Sequence, residues 1–519
     1  MKKLTLFFFV SVLYVTTAGA QLRNPVIPGY HPDPSVCRVG DDFYLVHSSF
    51  QYFPGVPIYH SKDLVNWTLV GNVLDRESQL PLKGTNSWTG IYAPTIRYHD
   101  GTYYMITTNV GNGGNFMVTA RDPRGPWSEP LWLQQGGIDP SLWFEDGKTY
   151  MMSNPDNTIM LCEIDPVTGR QLTESKALWQ GAGGRYPEAP HIYKKDGWYY
   201  LLIAEGGTEL AHSLTIARSR NIYGPYEANP ANPILTNCRM AGQYMQIQGT
   251  GHGDFVEAAD GSWWIVFLAY RNYGGSYHHL GRETCLAPVE WKEGEWPVVN
   301  GGNPVDTLMT VRTLAPQHPH AAHTRTLFNM VSAPLNSFEW VYQQNPITQN
   351  YRQHDGRLWL TAHGTLTENQ QPTFVGRRQE NANIVVETEI DIEAMDAGAE
   401  GGLSVYQINS GHIDLGVVKQ ASGAAAVQVK VQLMSLLHKT LGNQVDLRGK
   451  VRLRITSDGS KYHFLYASSD GNWTELAAYD CPLVSTEVAG GFTGVTIGMY
   501  AEGTGTVPFC YFDYEENKN

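Results

Sequence analysis

The sequence predicts an all-β protein, a five-bladed β-propeller followed by a β-sandwich, and three observations carry that prediction. One short unit recurs five times in the first three hundred residues, with an Asp-Gly-type turn about eight or nine residues after a Pro- or Gly-flanked residue. Those turns fall near Asp42, Gly101, Gly147, Gly197 and Gly261, roughly 45 to 65 residues apart, a period that belongs to propellers and arrays. Each turn feeds a run such as Phe43-Tyr44-Leu45-Val46, Tyr199-Tyr200-Leu201-Leu202-Ile203 or Trp263-Trp264-Ile265-Val266-Phe267, which reads as the second strand of a hairpin. Finally, the echo stops near Thr313 while strand-type runs resume beyond it, so the remainder forms a different all-β unit.

Taken in order, the chain opens with Met1-Lys2-Lys3, an apolar run from Leu4 to Tyr14 and the small residues Ala18-Gly19-Ala20. This is the pattern of a secretory signal peptide over residues 1–20, which predicts export to the periplasm or the medium and no membrane span after its removal. No cysteine follows the apolar run, which disfavours a bacterial lipoprotein. Residues 21–312 carry the five units. Two hairpin strands cannot bury a face alone, so the units must close on one another. Residues 313–326, including Leu314-Ala315-Pro316-Gln317-His318-Pro319-His320, lack a strand pattern and form the linker. Residues 327–519 alternate strands such as Ile384-Val385-Val386-Glu387-Thr388-Glu389-Ile390 with Gly-rich turns, and read as the sandwich.

The formal charge of −13 argues against a nucleic-acid partner, which requires a basic stripe. Abundant aromatics, 14 Trp and 29 Tyr, suit strand cores and also the stacking of neutral sugars. Cys37, Cys162, Cys238, Cys285, Cys481 and Cys510 are spaced too irregularly for a disulfide framework or a CxxC metal site. Nucleophile-elbow, P-loop, dinucleotide and HExxH patterns are absent from the sequence.

Chemistry enters through the repeat. In a propeller, equivalent positions of all blades open at the same end of the central channel. Asp33 in His31-Pro32-Asp33-Pro34-Ser35, Asp139 in Ile138-Asp139-Pro140-Ser141 and Glu188 in Tyr186-Pro187-Glu188-Ala189-Pro190 are equivalent positions. Ala93 of the second unit and His252 of the fifth take the same place without an acid. Any one Asp beside Pro is an ordinary turn residue. Three at one offset predict a shared acidic site whose members push one another's pKa values apart, as acid and base chemistry near neutral pH requires.

At these residues the sequence resembles glycoside hydrolase family 43, in particular its two-domain β-xylosidases and α-L-arabinofuranosidases. The stretches that carry the resemblance include His31-Pro32-Asp33-Pro34-Ser35, Phe50-Gln51-Tyr52-Phe53-Pro54-Gly55-Val56, Gly90-Ile91-Tyr92-Ala93-Pro94, Pro187-Glu188-Ala189-Pro190-His191, Ala204-Glu205-Gly206-Gly207 and Leu280-Gly281-Arg282-Glu283-Thr284. The resemblance implies inverting hydrolysis with Asp33 as general base, Glu188 as general acid and Asp139 as the carboxylate that tunes and orients Glu188. It further implies that Arg282 contacts substrate and that Phe50, Phe53 and Tyr92 wall the terminal-sugar subsite. His252 matches a channel histidine that touches calcium in some members; no cofactor is otherwise required. The resemblance makes the second domain a concanavalin-like sandwich, whose loop Gly490-Gly491-Phe492-Thr493-Gly494 closes one side of the funnel. One departure is Tyr92, where the xylosidases usually carry Trp.

These readings lead to an inverting exo-glycosidase that removes non-reducing-end α-L-arabinofuranosyl units from hemicellulose, as on xyloglucan or arabinoxylan side chains, with room for β-xylosidase activity in the same pocket, the alternative being a β-D-xylosidase acting on xylo-oligosaccharides. The rival of another class is a sugar-binding propeller without catalysis, which keeps the aromatics but has no use for three converging acids.

Overall fold

The computed structural model describes residues 21–238, 245–319, 323–328, 338–442, 447–468 and 471–516. The signal-peptide residues lie outside this set. Five antiparallel sheets follow one another through the first domain. Their innermost strands are Ser35–Val39, Thr95–His99, Ser141–Glu145, Glu188–Lys195 and Ile247–Glu257. Each pairs with the strand that follows it through a tight turn. At Asp100-Gly101, Asp146-Gly147 and Asp196-Gly197 both turn residues have positive φ, the backbone of the hairpin turn that Asp-Gly favours. The outer strands of the blades are short, as little as Leu131–Trp132 or Glu227–Ala228, so little edge is left unpaired.

The ends of the domain are tied together. Gln21–Arg23 pairs with Leu308–Thr310, and the Asn24 side chain accepts from the Leu286 amide and donates to the Leu286 carbonyl, at 2.9 and 3.0 Å. The N-terminal segment is thus stitched to the last blade, which fixes the ring against opening.

The second domain stacks two large sheets over one continuous apolar core. In one, Thr506–Glu516 pairs with His323–Leu327, Arg357–Thr361 and Asn383–Asp391. In the other, Ala399–Ile408, Gly411–Lys419 and Ala425–Leu433 form a meander beside Thr496–Gly503. The last member of this second sheet comes from the propeller: Tyr52–Phe53 pairs with Val341–Gln343. The two domains therefore share a sheet. A second seam lies at Gly281 and Gly494, where a Cβ on Gly494 would stand 2.1 Å from the Leu280 carbonyl oxygen. Only glycine allows backbones to approach that closely, and the Val495 amide donates to His279 O at 2.9 Å beside it.

All six cysteines are free thiols; Cys37, Cys162, Cys285 and Cys481 are buried.

Candidate active site

Asp33, Ala93 and Asp139 each sit two residues ahead of an inner strand, at the same end of the channel. Glu188 starts its strand, and the ladder loses register between Glu188 and His191. A similar irregularity brackets His252. Bulges of this kind re-aim a side chain out of the alternating pattern of a strand. The backbone is strained around all three acids and the histidine: Asp33, Asp139, Ala189 and His252 have φ of 57, 52, 53 and 44°. Side chains other than glycine cost about 1–3 kcal/mol each in that region, a cost usually found at functional sites.

Asp33, Ala93, Asp139, Glu188 and His252 line one pocket of about 350 Å³, together with Phe50, Tyr92, Tyr186, Thr208, Glu209, Arg282 and Phe492. His252 Nδ1 lies 3.7 Å from Asp33 Oδ1 and 4.0 Å from Asp139 Oδ2. Arg282 Nη1 donates to Asp33 Oδ1 at 2.9 Å, and the Ser48 hydroxyl donates to Asp33 Oδ2 at 2.5 Å. Burial pushes the Asp33 carboxyl up, but Arg282 and the other partners more than offset it and hold the group below its usual range. Asp33 is therefore ionised.

The other two acids are driven the opposite way. Burial, and then the charge of Asp33, push Glu188 up to about 8. Burial, Glu188 and Asp33 likewise raise Asp139, although the Ala189 amide donates to it. Carboxyls this close titrate as a pair, so a proton is retained on the Asp139–Glu188 pair at neutral pH. One ionised acid thus faces a pair that holds a proton.

His212, which sequence reasoning did not single out, stands behind Glu188 with Nε2 4.0 Å from Oε1. Burial lowers its imidazole to about 3, so it is neutral and brings no positive charge that would ionise Glu188. Gly251 makes room for it, since a Cβ there would meet the His212 ring at 2.4 Å. Glu205 is also a new residue of the site's support. Its buried carboxylate accepts from the Ala182 and Gly184 amides at 2.9 and 2.8 Å and from the Thr215 hydroxyl, anchoring the loop that leads to Tyr186 and Glu188.

The aromatic wall is Phe50, Tyr92 and Phe492. Phe50 lies 4.9 Å from the Tyr92 ring and 6.4 Å from Phe492, with the Arg282 guanidinium 5.6 Å above it. The Tyr92 hydroxyl donates to Trp88 O at 2.8 Å, which fixes the ring. Gln407 donates to the Gly490 and Thr493 carbonyls at 2.8 and 3.1 Å and so holds the sandwich loop that presents Phe492. Phe53 is a correction: it does not line the pocket. It belongs to the strand that crosses to the sandwich and packs half-buried against the core between the first two blades.

The donors around His252 do not form a cage for the calcium that this histidine touches in some family members. Among the described residues no group of three His, Cys, Asp or Glu side chains is placed to hold a metal. Deeper in the channel, the Asp254 oxygens are taken by Arg97 at 2.8 and 3.2 Å, Tyr193 at 2.5 Å and Ser35 at 2.7 Å. A guanidinium already supplies the positive charge there, and no oxygen-rich cage of the kind calcium needs remains.

Residues 22–297 match the family described as glycosyl hydrolases family 43, and residues 332–516 the domain described as the β-xylosidase C-terminal concanavalin A-like domain. The chain belongs to glycoside hydrolase family 43. A non-reducing-end α-L-arabinofuranosidase of Bacteroides ovatus is 40% identical over 515 residues, covering 96% of each chain. A xylosidase/arabinosidase of Butyrivibrio fibrisolvens is 39% identical, covering 95% of this family 43 chain and 98% of the relative. Among solved structures, the one described as Bacteroides ovatus xyloglucan PUL GH43B superposes with a TM-score of 0.90 at 39% identity, over 96% of this chain and 100% of that one. A xylan β-1,4-xylosidase from Bacillus halodurans gives 0.88 at 32% identity, over 95% and 100%. The chain is a glycoside hydrolase, built as a five-bladed propeller with a concanavalin-like sandwich.

Proposed function

We propose that this enzyme removes non-reducing-end α-L-arabinofuranosyl residues from hemicellulose oligosaccharides with inversion. The observation that carries the mechanism is the split between one ionised acid and a proton-holding pair around a single pocket. Asp33, held ionised by Arg282, takes a proton from water as that water attacks the anomeric carbon. Glu188, protonated at neutral pH, gives its proton to the departing glycosidic oxygen, and the bond breaks through an oxocarbenium-like state. Asp139 keeps the proton on that pair, and the fixed hydrogen bond from Ala189 orients it. Phe50, Tyr92 and Phe492 pack around the terminal sugar, and Arg282 and His252 reach its hydroxyls.

The arabinofuranoside reading is supported by Tyr92 in place of the xylosidases' Trp and by the Bacteroides ovatus relative. The β-xyloside reading stands beside it because other relatives bear xylosidase names. Wall shape of this kind discriminates by only about 1–3 kcal/mol per small group. Catalytic efficiencies on nitrophenyl α-L-arabinofuranoside and nitrophenyl β-D-xylopyranoside separate the two: a tenfold preference for the xyloside overturns the arabinofuranosidase assignment. Loss of both activities in Asp33→Ala, with the fold intact, is the result expected of an enzyme and not of a binding propeller. Export belongs to the same proposal, supported by the cationic, apolar and small-residue pattern of Met1–Ala20, and places the enzyme where hemicellulose fragments are met.

A further inference from the structure

Past its rim the catalytic pocket opens into a second cavity of about 810 Å³, more than twice the volume of the pocket itself. Tyr92, Thr208, Glu209 and Phe492 border both spaces. We infer that this outer cavity, built by both domains, binds the leaving group as a neutral oligosaccharide of at least two pyranose rings, with Trp88 as its stacking surface. The inference rests on the hydrolase reading above and extends it from the sugar removed to the chain it is removed from.

Trp88, Leu210 and Phe492 are 44, 44 and 40% exposed around this one cavity. Large apolar side chains gathered in this way mark a binding surface more than ordinary scatter does. A pyranose presents an apolar C–H face bordered by hydroxyls, which matches an aromatic ring set beside polar groups. The polar partner is Asn272, 8% exposed, whose Oδ1 has no donor among the described residues. A buried acceptor left unpaired is destabilising, and a sugar hydroxyl would satisfy it.

The floor is rigid before anything binds. His278 stacks on Tyr270 at 4.0 Å and 15°. It is tied across the domain boundary to Glu487, through its ring and through its backbone amide at 3.2 Å. A preorganised surface avoids ordering costs on binding. No Lys or Arg lines the cavity among the described residues, while Glu209 and Glu487 do, so an anionic leaving group is disfavoured and a neutral one fits. The volume sets the length: the inner pocket suits one sugar end, and the outer space exceeds two such pockets.

Two measurements test this on the full-length enzyme and its Trp88→Ala variant. The first compares kcat/KM on nitrophenyl α-L-arabinofuranoside with kcat/KM on an arabinofuranosyl-substituted xylotriose. Trp88→Ala is expected to lower the ratio of oligosaccharide to aryl-glycoside efficiency at least tenfold; an unchanged ratio overturns the inference. The second is calorimetric titration with unsubstituted xylotriose and cellotriose. Binding of at least one by the wild type, weakened at least tenfold in Trp88→Ala, supports the site, and binding of neither, or equal binding by both proteins, overturns it. If the wild type hydrolyses no pentoside, the functional reading fails by itself, and the titration still decides whether the cavity takes a sugar chain.

Discussion

Replacing Arg282 by Met removes the charge that holds Asp33 ionised while keeping a side chain of similar length. Arg282 Nη1 is 2.9 Å from Asp33 Oδ1, and the two side chains are only 5 and 7% exposed. Breaking a buried pair by removing one partner typically costs about 3–5 kcal/mol. That cost arises largely from leaving Asp33 charged and buried without its partner, so the surviving carboxyl takes up a proton more readily. Asp33 would move up from below its ordinary range once the Arg282 charge is gone, so the acidic limb of the kcat/KM profile should shift towards alkali. Arg282 also lowers Glu188, so the alkaline limb should move up in the same variant. The whole bell is displaced towards alkali.

The assay is kcat/KM on an aryl pentoside from pH 4 to 10, where the limbs report the free enzyme. A variant whose plateau falls while both limbs stay in place would refute the electrostatic reasoning and leave Arg282 as a substrate contact alone. Stability supplies an independent reading. Asp33 has a depressed folded pKa, so its contribution is present above the unfolded value of about 3.8 and is lost as pH falls through the folded one. The Tm deficit of Arg282→Met should therefore be large at neutral pH and shrink in acid.

Three further outcomes follow from the same geometry. Glu188→Gln should lower turnover roughly 10²–10⁴-fold, the usual contribution of a general acid. It should also raise Tm at pH 9: a carboxyl raised to about 8 costs stability increasingly as pH climbs from about 4.5 towards 8, so the gain should vanish near pH 4, as paired thermal melts would show. EDTA should leave Tm and kcat/KM unchanged, since Arg97 fills the cation's part in the channel; a calcium-dependent rise in Tm would contradict this. Gly494→Ala should displace the loop carrying Phe492, because the added Cβ meets the Leu280 carbonyl, and raise KM several-fold while the protein still melts cooperatively.

Much of the site was legible because a propeller converts an equal offset in sequence into an equal place around one axis. Asp33, Ala93, Asp139, Glu188 and His252 came together from that rule alone. The Asp-Gly turns were equally readable, as their left-handed backbone leaves a local signature. Phe53 escaped because nothing local marks a strand of two residues that leaves its blade to pair with Val341–Gln343, nearly three hundred residues on. His212, and the role of Glu205, whose stretch carries the resemblance without saying what the residue does, escaped for another reason. They lie off the repeated position, and their roles come from contacts with Glu188 and with the Gly181–Gly184 backbone that only the folded chain creates. Gly251 was the available clue to His212, since a glycine inside a strand often marks a close neighbour.

The shared sheet and the glycine seam explain why a catalytic propeller carries a second domain. The acids sit at the open end of a channel, where water would screen every charge that separates Asp33 from Glu188. Phe492 covers one side of that opening, and its carbonyl also lies 3.4 Å from Arg282 Nη2. The cover is held from both ends: Gln407 grips the loop within the sandwich, and Gly281 against Gly494 locks it to the last blade. Closing one side narrows the approach to the acids, an opening that suits the end or a side branch of a polysaccharide. The sandwich therefore acts on the reaction twice, by keeping the carboxyl pair dry enough to hold its proton and by restricting what can reach it.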